Sequence, residues 1–263
     1  MKIAIIYAHP VPESLNASLL DLMVKRLEAN GHSVEVSDLY AMGWKAVLDG
    51  DDFLNREPGA RLDPMLDSKQ AYKEGKQSPD IAAEQEKLLA ADAVILQFPL
   101  WWFSMPAILK GWVERVYAYG FAYGVGEHSK LRWGDRYGEG LMTGKRAMLV
   151  VTAGGWTSHY GPRGINGPID DLLFPIHHGI LHYPGFTVLP AFVSYGIGRG
   201  RVDDNQYEAI ASAIEKRMDE LFTIEPIPFR RQNFGDYEIP ALTLRSELAP
   251  GVIGFDAHRS DSK

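Results

Sequence analysis

The chain predicts an α/β fold in which a parallel sheet is wound with helices on both faces. Three observations carry that expectation. Short continuous apolar runs at 3–8, 93–98 and 146–152 read as strands covered on both sides. Stretches with apolar residues at helical spacing separate them, which is the alternation of a βαβ chain. An apolar content of 46 % and a charged content of 23 % suit one globular domain, and no run approaches a membrane span.

The elements follow in order. Ile3 to Ala8 is the first strand. Ser18 to Asn30 is a helix with Leu19, Leu22, Met23 and Leu27 on one stripe, stopped by Asn30-Gly31. Ser33 to Leu39 alternates through Val34 and Val36 as a second strand. Trp44 to Gln77 is a long polar excursion with scattered Gly and Pro. A helix spans Asp80 to Ala91, and the third strand spans Ala93 to Phe98. Pro106 to Tyr119 is a helix carrying Ile108, Leu109, Trp112, Val113 and Val116. Arg146 to Thr152 is the fourth strand, Ile169 to His182 a helix, Val188 to Tyr195 the fifth strand and Asp203 to Phe222 the last helix. From Thr223 the chain is rich in proline and has no clear period; no repeat or low-complexity tract occurs.

Five such strands favour the flavodoxin-like order 2-1-3-4-5, whose switch point lies between strands 1 and 3. Ligands then sit outside the carboxyl ends of the strands. Three segments emerge there, 9–18, 99–105 and 152–160, and all three are unusual in composition.

Charge and composition narrow the chemistry. A formal net charge of −7 disfavours a nucleic acid or an anionic membrane as partner. With no cysteine, disulfides, thiolate metal sites, iron–sulfur clusters and cysteine nucleophiles are excluded together. Redox chemistry would have to come from a bound organic cofactor. The stretch from Met1 to His9 is too short for a signal peptide, so a cytoplasmic location is expected.

The first of the three segments, His9 to Ser18, could cradle phosphate through backbone N–H groups, Asn16, Ser18 and the helix N-terminus. Its plainer reading is a proline-rich turn in which Ser or Asn caps the helix. It lacks the glycines of a dinucleotide fingerprint. The second, Gln97 to Trp112, sets Trp101, Trp102 and Phe103 behind Pro99 at a strand end. Three consecutive aromatics cannot all face inward, and a flat ring with polar edges suits such a surface. The third runs from Thr152 through Gly154-Gly155 to Tyr160, with glycines that allow close backbone approach and a phenol suited to developing negative charge. His178 and His182 stand at i, i+4 on a predicted helix beside His177. They lack the intervening glutamate of a zinc-protease helix, so no metal is expected. His128 and His258 stand in polar sequence and are expected to be solvated.

Over roughly residues 2–222 the chain resembles the NAD(P)H:quinone oxidoreductases of the DT-diaphorase type, including the bacterial modulator-of-drug-activity branch. The likeness is densest in Ala71 to Gln85, Gln97 to Val116 and Gly179 to Phe186. The resemblance implies a flavodoxin-like catalytic domain over 1–222, FAD more than FMN as cofactor, and NAD(P)H as co-substrate. It also implies a quinone or related small-molecule acceptor, two-electron ping-pong hydride transfer, and a homodimer with sites at the subunit interface. The extension 223–263 is expected to pack on the partner.

Carried over by position, His9, Leu15, Asn16 and Ser18 meet the FAD phosphates and ribityl chain, and Gln85 approaches the adenosine end. Pro99, Leu100, Trp101, Trp102 and Phe103 hold the flavin, while Thr152, Ala153, Gly154 and Gly155 run along its pyrimidine edge. Ile197 and Asn205 close over the cofactor, the latter where the family has arginine. Trp102, Phe103, His159 and Asn166 wall the substrate space, with Tyr123, Val125 and Tyr183 as further pocket positions. The family pairs a tyrosine with a histidine at the ring edge; here the positions hold Tyr160 and Asn166, the candidate catalytic pair. Asparagine donates a hydrogen bond but cannot take up a proton, so a relay through that position is expected to be lost. The loop 125–145, with Arg132, Trp133 and Arg136, is longer than the family's equivalent. Azo- or nitro-reduction on the same fold, or electron carriage without catalysis, are the alternative functions.

Overall fold

A computed structural model describes residues 1–197 and 202–261. Its sheet has strands β1 (Lys2–Tyr7), β2 (Ser33–Asp38), β3 (Ala93–Pro99), β4 (Arg146–Thr152), β5 (Thr187–Val188) and β6 (Phe192–Ser194). All of these strands pair in parallel in the order β2-β1-β3-β4-β5, with β6 also on β4. The chain has the flavodoxin-like fold expected from its strand pattern.

The helices are α1 (Leu15–Ala29), α2 (Pro64–Glu74), α3 (Pro79–Ala90), α4 (Ala107–Val116), α5 (Ile169–Ile176) and α6 (Asp204–Asp219). Side chains alternate across a strand, and the two cores follow that alternation. Ile3, Ile5, Ala93, Ile95, Met148 and Val150 face one cluster with Leu19, Met23 and Leu27 of α1 and Ile214 and Met218 of α6. Ala4, Ile6, Val94, Leu96, Phe98, Leu149 and Val151 face the other, with Ile81, Leu109, Trp112, Val116 and Leu173. Both faces of the sheet are thus sealed, and only the strand ends remain open to a ligand.

Several expected elements differ in detail. The fifth strand is two short pieces, because Pro190 has no N–H to donate. The register advances one residue between Ala147↔Val188 and Val150↔Phe192, a bulge in the edge strand. The expected helix 169–182 is α5 followed by a π-helical turn, His177–His182. The excursion 44–77 contains α2, capped by Asp63 and ended by Gly75 in the left-handed region. Its buried residues are Ser68 and Ala71, so no apolar stripe announced it. Arg115, 3 % exposed, holds the excursion in place through Asp52 at 2.8 Å, Asp80 at 2.7 Å and the Lys45 carbonyl at 3.0 Å.

The tail is more ordered than its sequence suggested. It forms a small antiparallel pair, β7 (Tyr237–Glu238) with β8 (Thr243–Leu244), and lies on its own chain, with Phe255 stacked on Phe174 of α5 at 4.2 Å. No helix among the described residues is long and apolar enough to cross a membrane.

Helix α4 approaches the excursion so closely that a Cβ on Gly111 would sit 1.9 Å from the Ala46 carbonyl oxygen. In an open helix Gly→Ala stabilises by about 1 kcal/mol. Here overpacking against backbone wins, and Gly111→Ala is expected to destabilise by about 1–3 kcal/mol. A urea midpoint at or above that of the parent chain would contradict this packing.

Candidate active site

The three strand-end segments are bonded to one another through buried polar groups. Asn16, 3 % exposed, donates from Nδ2 to Thr152 Oγ1 at 2.9 Å, and its carbonyl accepts from Gln97 Nε2 at 2.6 Å. The loop after β1 is therefore fastened to both β3 and β4. Leu100 N–H donates to the Thr152 carbonyl at 2.8 Å, and Ala153 N–H to Ser194 at 2.8 Å. Ile197 N–H returns to the Ala153 carbonyl at 3.0 Å.

The helix cap is Ser14, whose Oγ accepts from Ala17 N–H at 3.2 Å, rather than Asn16 or Ser18. Ser18 donates to the Ser14 carbonyl at 3.4 Å, and Leu15 begins α1 half-buried against the core. His9 Nδ1 accepts from Val11 N–H at 3.1 Å, and burial lowers its pKa. Its ring stands 6.2 Å from that of Trp101.

After Pro99 the chain makes a tight turn closed by two bonds between Trp101 and Ser104, at 3.0 and 3.1 Å. Its central residues, Trp102 and Phe103, have φ of 50° and 63°. A bulky residue in this left-handed region is strained by about 1–3 kcal/mol, and such strain clusters at functional sites. The turn leaves Trp101, Trp102 and Phe103 exposed by 43, 95 and 49 %. Neither the Trp102 nor the Phe103 N–H is given to another group among the described residues. Flat apolar faces and free rim donors thus stand together.

The glycine loop leaves the end of the neighbouring strand, β4. A Cβ on Gly154 would stand 3.1 Å from the Ile197 carbonyl; one on Gly155 would stand 3.1 Å from His159 Nδ1 and 3.3 Å from Tyr160 OH. Tyr160 and His159 lie on a 3-10 turn, Thr157–Tyr160, and the Tyr160 ring is 5.5 Å from Tyr195. Asn166 N–H donates to the His159 carbonyl at 3.0 Å, which brings Asn166 back to the same loop. Trp156 and Ile165, exposed by 54 and 92 %, extend the apolar surface. An uncovered apolar area of this kind marks a binding face.

Other expected residues lie elsewhere. Gln85 is 4 % exposed inside α3 and spends its amide on the Val116 carbonyl at 2.9 Å. Asn205 is exposed in the first turn of α6, with residues 198–201 outside the described part. Tyr123 lines a separate cavity with Ala46, Leu48 and Ser68, its ring 5.2 Å from Tyr119. Val125 accepts from Asp135 N–H in the long loop. Tyr183 stands 4.9 Å from Tyr137, its hydroxyl 3.3 Å from Arg136. Arg132 is paired with Asp135 at 2.6 Å and Glu139 at 2.8 Å.

His178, His182 and His258, outside this cluster, belong to an aromatic core that local sequence did not announce. His178 stacks on Phe174 at 4.7 Å and on Tyr137 at 4.6 Å. His258, expected in solvent, instead stacks on Tyr237 with its Nδ1 2.8 Å from the hydroxyl. His128 is exposed beside Trp133, as expected. Among the described residues no group of three His, Cys, Asp or Glu is placed to hold a metal.

With the geometry in hand, kinship can be weighed. Residues 1–218 match the flavodoxin-like fold family, and fold and strand-end site define that class. Within it, the chain belongs to the NAD(P)H dehydrogenase (quinone) family of oxidoreductases. It is 38 % identical to NAD(P)H dehydrogenase [quinone] 1 of Cavia porcellus, covering 93 % of this chain and 86 % of that one. It is 57 % identical to a ribosyldihydronicotinamide dehydrogenase-like protein of Penicillium crustosum, over 98 % of this chain and 95 % of that one. A solved structure from Klebsiella pneumoniae, described as a candidate quinone reductase, matches at 62 % identity with a TM-score of 0.96. That match covers 98 % of this chain and 99 % of that one.

Two outcomes follow. Asparagine tolerates the left-handed region, so Trp102→Asn should raise unfolding stability by about 0.5–1 kcal/mol; a lowered urea midpoint would show the turn to be unstrained. Burial pushes the His177 and His178 imidazoles down to about 3. The unfolded chain, with imidazoles near ~6.5, binds protons that the fold refuses. Stability is therefore fully present above about pH 6.5 and declines as pH falls toward about 3. His178→Phe should flatten that decline, and an unchanged slope would remove His178 from its cause.

Proposed function

We propose that this chain is an FAD-dependent NAD(P)H:quinone oxidoreductase, working by ping-pong transfer at one site that serves both substrates in turn. The observation that carries this reading is the Trp101–Ser104 turn, with unused N–H groups and exposed aromatics, beside a glycine loop that ends in Tyr160. A flat, polar-edged ring fits between them: apolar faces on one side, amide donors at the rim, no Cβ in the way. The relatives' names point to the same chemistry.

When bound, a flavin accepts a hydride from NAD(P)H and delivers it to the acceptor. The chain's own groups orient and stabilise. Trp102 and Phe103 wall the space in which substrates alternate, and their backbone donors orient the ring. Tyr160 offers a neutral hydroxyl toward the ring edge where negative charge develops. Asn16 and Ser18, with the α1 N-terminus, are placed for the phosphate and ribityl parts, Asn16 acting chiefly by holding the loop. Thr152 and Ala153 keep the glycine loop in register with β6. Tyr123, Val125 and Tyr183 stand in other surroundings in one chain. They are proposed to reach the site from the second copy of a homodimer.

The purified protein should be yellow and release FAD rather than FMN on denaturation. It should oxidise NADH or NADPH steadily with menadione. An electron carrier would give no turnover without a partner reductase, and an azo- or nitro-reductase would prefer those acceptors over the quinone. Tyr160→Phe should slow flavin reduction by roughly tenfold or more. An unaltered reductive rate removes Tyr160 from the mechanism, and a chain that cannot be loaded with flavin removes the proposal altogether.

A further inference from the structure

The net reaction proposed above is NAD(P)H + quinone + H⁺ → NAD(P)⁺ + hydroquinone, so the site must supply one proton per turnover. Hydride delivered to one quinone oxygen forms the first O–H bond and drives the ring π electrons onto the other oxygen. The resulting oxyanion then forms an O–H bond with a proton released by an acid. The question is which side chain is that acid.

Asn166 cannot be, because an amide has no exchangeable acid form in this range. Tyr160 is already assigned to stabilising the negative charge that develops at the ring edge. His9 has its Nδ1 engaged by Val11 N–H at 3.1 Å, and burial holds it in the neutral form. His159 differs on each count. Neither of its ring nitrogens makes a protein hydrogen bond among the described residues, and the side chain is half-buried rather than waving in solvent.

Its placement is well determined. The ring meets Trp156 edge to face at 5.3 Å. The His159 backbone N–H donates to the Trp156 carbonyl at 2.9 Å, while the His159 backbone carbonyl accepts from Asn166 N–H at 3.0 Å. The loop can close this tightly only on glycine, since a Cβ at Gly164 would stand 2.2 Å from the His159 carbonyl oxygen. His159 Nδ1 and Tyr160 OH both lie beside the one spot that Gly155 leaves open, 3.1 and 3.3 Å from where its Cβ would be.

We propose that His159 is the proton-supplying residue of this site, an inference that rests on the quinone-reductase reading. Its imidazolium N–H bond breaks as the acceptor O–H bond forms, leaving neutral imidazole that solvent reprotonates. Asn166 and Trp156 position it, and Tyr160 beside it stabilises the negative charge. The other titratable groups about this turn are Tyr195 after β6, Asp170 at the start of α5 and the exposed Arg163 of the same loop. Tyr195 is pushed up by burial first, then by Asp170 and Tyr160, and so is no competing acid.

The test uses the flavin-loaded enzyme and His159→Gln. The variant should retain flavin, and its reoxidation by menadione should slow about a hundredfold, far more than its reduction by NAD(P)H. Independently of turnover, the midpoint potential of the bound flavin measured against pH should change slope where an imidazole titrates. His159→Gln should abolish that break. Adding Asn166→His to His159→Gln, which returns an imidazole to the same loop, should restore both. If His159→Gln matches the parent in reoxidation and in the potential–pH curve, the proton role is overturned while the quinone-reductase reading stands. Loss of flavin from the variant would overturn it too, making His159 a cofactor-holding residue. A parent chain without flavin or quinone turnover sinks the broader reading, and this one with it.

Discussion

Everything at the open end of the sheet hangs on one buried amide. Asn16 sits in the first turn of α1, at the end of the loop that follows β1, and is almost wholly buried. Its side chain must therefore find partners within the protein. It finds Thr152, the last residue of β4, while Gln97 of β3 takes its carbonyl. Three loops that are far apart in sequence become one surface through these bonds. The first loop joins the aromatic turn and the glycine loop, which are already linked to each other by Leu100 N–H and the Thr152 carbonyl.

The aromatic turn shows the reverse economy. Two bulky residues are held at positive φ and left largely in water, each costly by itself. A turn selected for stability would carry asparagine and glycine there. The conformation instead turns two N–H groups away from the sheet and stands indole and phenyl rings beside them. Under the proposed function, local stability is exchanged for a pre-formed seat, which would lower the ordering cost of binding a rigid ring.

The strands and the site segments were legible because their signals are local. β3 is buried on both faces and reads as an apolar run, broken only by Gln97, that ends at Pro99. Side-chain alternation said that Trp101 to Phe103 could not all face inward; the left-handed turn then exposes all three. By contrast, α2 carries almost no apolar stripe, and the bulge at Pro190 depends on pairing with a strand about forty residues away. His258 looked solvated in its polar neighbourhood, yet it stacks on Tyr237 against the histidines of the π-helical turn. Gln85 sat in a run that resembles the family closely, but its amide is consumed within the core. Each miss involves a partner that local pattern cannot name.

The amino-acid sequence by itself determined the parallel sheet, its switch point and the unusual composition of the segments at the strand ends. Periodicity and burial on both faces leave a direct mark in the order of residues. Which groups meet inside that site was decided by tertiary structure alone. Asn166 reads in sequence as the loss of a proton-carrying partner for Tyr160. The fold places His159 against the same glycine and pins its backbone to Asn166, because that loop doubles back on Gly164. A close approach of backbone and ring is a property of the closed loop, and no residue in it carries that information alone.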